Sequence, residues 1–181
     1  MSQFGSVVPT ARELSKDEIT LSAVITTEIT TGELISDGKV DISGCLEIEN
    51  SALFLTELVF SEQDTNAGGD LEKPDCDIYI FRNTDALDAT GSGVTFSLDG
   101  TTPNTKVLYQ GQIKTGGDAI WIDSDPNNSR AHLKDINVRC WADDVDSRSL
   151  GFAIVARGSA TYVTHTLTLQ PKFDLMDLKN P

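Results

Sequence analysis

Between residues 161 and 169 the chain places Val163, His165, Leu167 and Leu169 on one parity and Thr164, Thr166 and Thr168 on the other. A period of two sends these sets to opposite faces of an extended strand, whereas a helix would scatter both around its axis. The same period runs through residues 39–49, where Val40, Ile42, Leu46 and Ile48 oppose Lys39, Asp41, Ser43, Glu47 and Glu49. Residues 52–60 and 76–81 are apolar on both parities, which predicts strands covered on both faces or lying at a subunit contact. Further strands are predicted at 94–98, 107–113, 119–122 and 150–156, each bounded by Gly, Pro, Asn or Asp. Residues 131–142 fit a helix through Leu133, Ile136 and Cys140, or a strand through Ile136, Val138 and Cys140, and the strand is preferred. Residues 15–18 match a capping box, but the run behind them is rich in β-branched side chains and is assigned to strand. Arg157 to Ala160 is read as a tight turn joining the last two strands. Nine to eleven strands and no helix predict an all-β sandwich, with a jelly roll as the expected topology.

A chain of 181 residues can bury about 70% of its unfolded surface, enough for one core. The expected organisation is an extended N-terminal arm over residues 1–18, a sandwich domain over 19–175 and a C-terminal tail over 176–181. The arm carries the apolar side chains Phe4, Val7 and Val8 ahead of Pro9; they are expected to be covered by a neighbouring subunit. With 28 acidic against 14 basic residues the formal net charge is −14, which repels a phosphate backbone and argues against nucleic acid as a partner. The longest uncharged apolar stretch, residues 151–156, is far short of the roughly 20 residues a membrane helix needs. No apolar run follows a basic start at the N-terminus, so no secretory or transit signal is expected and folding is assigned to a cytoplasm. Cys45, Cys76 and Cys140 are widely spaced and odd in number, which suits reduced thiols rather than a disulfide framework or a metal knuckle.

No pattern in the chain assembles a catalytic group. Residues 123–128 (Asp-Ser-Asp-Pro-Asn-Asn) offer several oxygens in one loop, yet lack the sixth-position Gly and twelfth-position Glu of a calcium-binding EF-hand. They read as a turn, and residues 143–146 are treated likewise. His132 and His165 are the candidate bases; His165 falls on an inward parity, where a buried imidazole with a backbone partner is expected. No Gly-x-Ser-x-Gly or His-Glu-x-x-His is present, and no metal or cofactor is expected. Trp121 and Trp141 each neighbour acidic loops. Trp121 with Asp123 and Asp125, and Trp141, therefore form the alternative reading of a carbohydrate-binding module, against packing in the core.

At residues 76–81 (Cys-Asp-Ile-Tyr-Ile-Phe) and 150–169, the latter containing Ile-Val-Ala-Arg-Gly-Ser-Ala-Thr-Tyr, the chain resembles a family of small structural proteins encoded by tailed bacteriophages. The resemblance spans residues 39–81 and 150–174. It implies a non-enzymatic virion protein that decorates or cements the outer surface of the capsid, with the major capsid protein and itself, as a homotrimer, for partners. The host cytoplasm is then the place of assembly.

The parities also predict thiol reactivity. Cys45 shares the outward set with Glu47, and Cys140 the inward set with Ile136 and Val138, so a thiol reagent applied to the native protein is expected to modify Cys45 and spare Cys140. Mass spectrometry of the labelled protein checks this. Equal labelling of the two would mean a one-residue slip in register.

Overall fold

The computed structural model describes residues 11–15, 19–21, 28–41, 51–65, 71–81, 87–98, 107–140, 149–162 and 165–177. Every regular element among them is a strand. The larger sheet is built on two long partners, β5 (Ser51–Asp64) and β13 (His165–Asp177), antiparallel from Asp64 opposite His165 to Ser51 opposite Asp177. Strands β1 (Ala11–Ser15) and β2 (Ile19–Leu21) pair along the other side of β13. On the far side of β5 lie β9 (Asn128–Leu133) and β10 (Val138–Cys140), and β8 (Trp121–Asp125) pairs with β9. The smaller sheet has the order β4 (Leu34–Asp41), β11 (Ser149–Ala156), β6 (Cys76–Phe81), β7 (Val107–Ile113), all antiparallel. A short ribbon joins β3 (Glu28–Ile29) to β12 (Ala160–Thr161).

These pairings nest. β1 and β2 pair with β13, β4 with β11, β5 with β9 and β6 with β7, and successive pairs fall in alternate sheets. The two sheets close on one apolar core. Leu55, Phe60, Leu167, Leu169 and Phe173 come from the larger sheet, and Ile35, Ile78, Ile80, Phe152 and Ile154 from the smaller. Burying a side chain of this size is worth about 1.5–3 kcal/mol, so the shared core is what holds the sheets face to face.

The both-parity apolar pattern of residues 76–81 has the expected consequence, since all six residues of β6 are buried. Ile78 and Ile80 face the sandwich core, while Tyr79 and Phe81 join Leu34, Ala153 and Val155 on the other face of the sheet. That second face is covered by Leu87, Val94 and Phe96 from residues 87–98. Residues 52–60 differ from expectation: Phe54 and Val59 are only half-buried, and the strand is enclosed on one face. Leu55 and Leu58 nevertheless both reach the core despite opposite parity, because the register shifts at Thr56 between the pairs Glu57–Lys172 and Leu55–Phe173. A bulge of this kind turns the next residue over. The extra carbonyl of Thr56 accepts the Ile136 N–H at 3.1 Å.

Other boundaries are corrected. Residues 94–98 make only isolated bridges, Thr95 with Glu33 and Leu98 with Leu87. Residues 131–142 divide between β9 and β10 because Asp135 and Asn137 adopt φ of 58° and 31°, a left-handed conformation these two residue types tolerate best among those with a side chain. The predicted tight turn at residues 157–160 is a crossover, since β11 and β13 belong to different sheets. Part of the predicted arm is a strand: Ala11–Ser15 pairs in register with β13, which leaves residues 1–10 as the candidate arm. Their Phe4, Val7 and Val8 lie outside the described residues, as do Cys45 and Trp141 and the acidic residues 143–146. At the other end, β13 continues to Asp177, inside the predicted tail.

Gly111 shows how tightly β7 is packed. A Cβ there would overlap the Tyr109 hydroxyl and come within 2.8 Å of Leu133 Cδ2. Burial, with Asp118 nearby, pushes the Tyr109 hydroxyl up to about 12. Gly111→Ala is expected to cost about 1–3 kcal/mol by overpacking, read as a fall in melting temperature of several degrees. Adding Tyr109→Phe, which removes the nearest atom, should recover part of that loss.

Candidate functional site

Polar groups inside an apolar sandwich must be paired or displaced, so the buried acids mark the places where this chain has something specific to hold. Asp77 is the clearest. It stands within the apolar strand β6 with its side chain 2% exposed, and Arg157, the residue after β11, reaches it with Nη2 at 2.6 Å and Nε at 2.8 Å from the same carboxylate oxygen, Oδ2. Arg157 Nη2 also donates to the Tyr79 hydroxyl at 3.2 Å, and Gln110 Nε2 donates to that hydroxyl at 3.1 Å. Asp77 raises the Arg157 guanidinium further above its ordinary range. The Tyr79 phenol is raised by burial first and by Asp77 second. Its ring stacks on Phe96 at 4.6 Å, so the network joins β6, β7, the end of β11 and the covering segment.

A second cluster lies inside the larger sheet near the start of β13. Glu62 Oε1 and Oε2 accept the backbone N–H groups of Glu72 and Lys73, each at 2.9 Å. His165 Nδ1 approaches Glu62 Oε1 to 2.7 Å, within ion-pair reach though not aligned as a hydrogen bond, and His165 Nε2 lies 4.0 Å from Asp64 Oδ2. His165 is thus buried on the predicted parity, but its close neighbour is a carboxylate rather than the expected backbone group. Tyr162 meets the imidazole edge-on at 5.7 Å, and burial, with Glu62 second, pushes its hydroxyl far up. Cys76 is enclosed and its thiol is also raised by burial, the opposite of an activated nucleophile.

The side-chain exposure of His165 is 6% and that of Glu62 is 0%. A general base must lie within hydrogen-bond reach of its substrate, and neither group opens to solvent. What the arrangement does is tie residues 72 and 73 to the interior through two N–H bonds to a carboxylate, which are stronger than neutral ones. His132, on β9, pairs with Glu57 at 2.8 Å, and Lys172 reaches the same carboxylate oxygen at 3.0 Å. Lys172 first and His132 second hold Glu57 below the usual carboxylate range.

The acidic loop behaves as a turn. Asp125 Oδ1 accepts the Asn127 N–H and the Asn128 side-chain amide, both at 2.8 Å, closing the β8–β9 hairpin. Asp123 is bonded to Lys73 Nζ at 2.9 Å, and that contact, with Ser129 second, lowers its carboxyl. Among the described residues no group of three His, Cys, Asp or Glu side chains is arranged to hold a metal. Trp121 donates its indole N–H to the Pro74 carbonyl at 3.0 Å and lies 5.2 Å from the Phe60 ring, so it is a packed residue at the core margin. Trp121, Asp123 and Asp125 share β8, but each is engaged by protein groups: Pro74 and Phe60, Lys73, and Asn127 with Asn128.

Sequence reasoning passed over Asp77, Arg157, Glu62 and Asp64. A signal existed for each acid: Asp77 is a charge inside an unbroken apolar strand, and Glu62 and Asp64 continue the parity of Leu58 and Phe60 into the core. Their partners come from other strands, and no local spacing announces them.

No protein-family model matches the chain, and no curated protein matches it in sequence. Among solved structures, a chain named Desmodium yellow mottle tymovirus is similar over 100% of this chain and 95% of that chain, at 12% identity and a TM-score of 0.39. A TM-score of that size fixes neither fold nor function.

Removing Arg157 leaves Asp77 buried with only neutral partners. Arg157→Ala is expected to destabilise the protein by about 3 kcal/mol, a fall of roughly 6–12 °C in melting temperature, measured by calorimetry. Arg157→Lys, which keeps the charge but not the two-nitrogen grip, should recover only part of it.

Proposed function

We propose that this chain is a non-enzymatic structural protein of a bacteriophage virion, which decorates or cements the outer surface of the capsid as an oligomer bound to the major capsid protein. The observation that carries the reading is where the two phage-like segments lie. Residues 76–81 and the start of residues 150–169 form neighbouring strands, with Ile78 opposite Ile154 and Ile80 opposite Phe152. Asp77 and Tyr79 of the first segment are bound by Arg157 of the second. Residues 76–81 and 150–157 of the phage-like segments thus form one interlocked unit of the fold, as expected where a family keeps a pattern for architecture.

The nested pairing in two alternating sheets supports the jelly-roll reading, a double Greek key used by viral shell proteins among others. Fold alone does not assign function, but here the buried titratable groups add weight in the same direction. Asp77 Oδ2 is taken up by the Arg157 guanidinium and both Glu62 oxygens by backbone N–H groups, which supports a use of these acids in stability. An acidic surface suits a position outside a nucleic-acid-filled shell, where no phosphate needs to be neutralised. The glycan-binding alternative loses support, because Trp121 is committed to Pro74 and Phe60.

Quantitative mass spectrometry of purified particles tests the proposal. Hundreds of copies per particle are expected for a capsid-decorating protein, whereas a handful would relocate it to the tail. Its absence from particles overturns a virion role.

A further inference from the structure

The larger sheet ends at β8, which has β9 on one side and, among the described residues, no strand on the other. Free edges invite pairing with another chain, and proteins blunt them with bulges and charges. Only half of this edge is blunted. The end holding Asp123 and Asp125 carries a register shift and two carboxylates, while the end before it presents Ile120 and Ile122 at 52% and 61% exposure. Ala119, just before them, is bridged to Ile113 of β7; beyond that bridge, two isoleucines on one parity beside an edge that no described strand covers are the features by which an extended segment is received as an added strand.

Residues 1–10 of the chain suit that role. They contain Phe4, Val7 and Val8 and no charged side chain, so they can approach an edge flanked by Asp118, Asp123 and Asp125 without like-charge repulsion. The register shows from which copy they must come. The segment joins the sheet at Ala11, which is opposite Met176 and, across β13, level with Ala52 of β5. Trp121 is opposite Ala131 and level with Phe60. The two points are four strand spacings apart across the sheet and eight residues apart along it, about 30 Å in all. Fully extended, the chain covers only about 10 Å from Ala11 back to Val8 and about 25 Å back to Phe4. A subunit's own segment falls short of its own β8.

We propose that the Ile120–Ile122 edge of β8 receives residues 4–8 of a second copy of this chain as an additional strand. The contact joins two different surfaces, arm to edge, so it closes by reciprocal exchange between two copies or as a ring of more. This rests on the oligomeric state in the function proposed above, and it names the surfaces that make the oligomer.

The test is complementation between two full-domain variants, one lacking residues 1–10 and one carrying Ile122→Asp, followed by sedimentation. Wild-type protein is expected to be oligomeric, and each variant alone is expected to sediment as a monomer, at 19.6 kDa for the full-length Ile122→Asp chain and below that for the truncated one. Their equal mixture is expected to form a two-subunit complex, because the arm of one can still enter the edge of the other. Melting temperatures close to wild type show that neither change acts through the fold. A monomeric wild type, either variant remaining oligomeric, or a mixture that stays monomeric overturns the proposal. None of these outcomes alters the copy number in particles, and absence from particles with complementation intact overturns the virion role alone.

Discussion

Everything in the larger sheet is measured from the pairing of β5 with β13. These are the longest strands among the described residues, and they meet along nearly their whole length. Because they are longer than their neighbours, each side of the pair is filled by two shorter strands, β1 and β2 along β13, β9 and β10 along β5. One irregularity sets the remainder. The bulge at Thr56 allows Leu55 and Leu58 to enter the same core, and it provides the carbonyl that anchors the backbone of Ile136 between β9 and β10. Without it, one half of β5 would turn its apolar side to solvent.

The smaller sheet depends on a different constraint, burial on both faces. Backbone polar groups in such a sheet are met by the ladder itself, but any side-chain charge needs a dedicated partner. Asp77 has one in Arg157, and the pair connects the two strands at the centre of the sheet just where the chain leaves β11 to cross to the other layer. Glu62 plays the corresponding part in the larger sheet, holding residues 72 and 73 as the chain approaches β6. Both acids therefore sit at passages between sheets, where hydrophobic burial alone would leave the path of the chain loosely specified.

Interlocking of this kind fixes the path of the chain between the two sheets. The groups that would be read as catalytic in an open cleft, a histidine between two carboxylates and a cysteine near one of them, are enclosed in the interior. Among the described residues, the exposed side includes a localised apolar edge at Ile120 and Ile122 beside the acidic Asp118, Asp123 and Asp125.

The sequence by itself determined the class of fold. Period-two alternation, as at Leu167 and Leu169 against Thr166 and Thr168, is a local property that survives in any arrangement of strands, and the both-parity run of residues 76–81 already required cover on two faces. It also indicated that His165 points inward. Tertiary structure alone decided the rest: that residues 157–160 cross between layers instead of turning back, that Ala11–Ser15 joins the sheet, that Trp121 rests on Phe60, and that Arg157 finds Asp77. Each of these depends on which strands become neighbours, and strand pairing joins residues far apart in the chain through backbone groups that every residue shares. A linear pattern encodes which face a side chain takes, while the partner across that face is set only when the two sheets close on their common core.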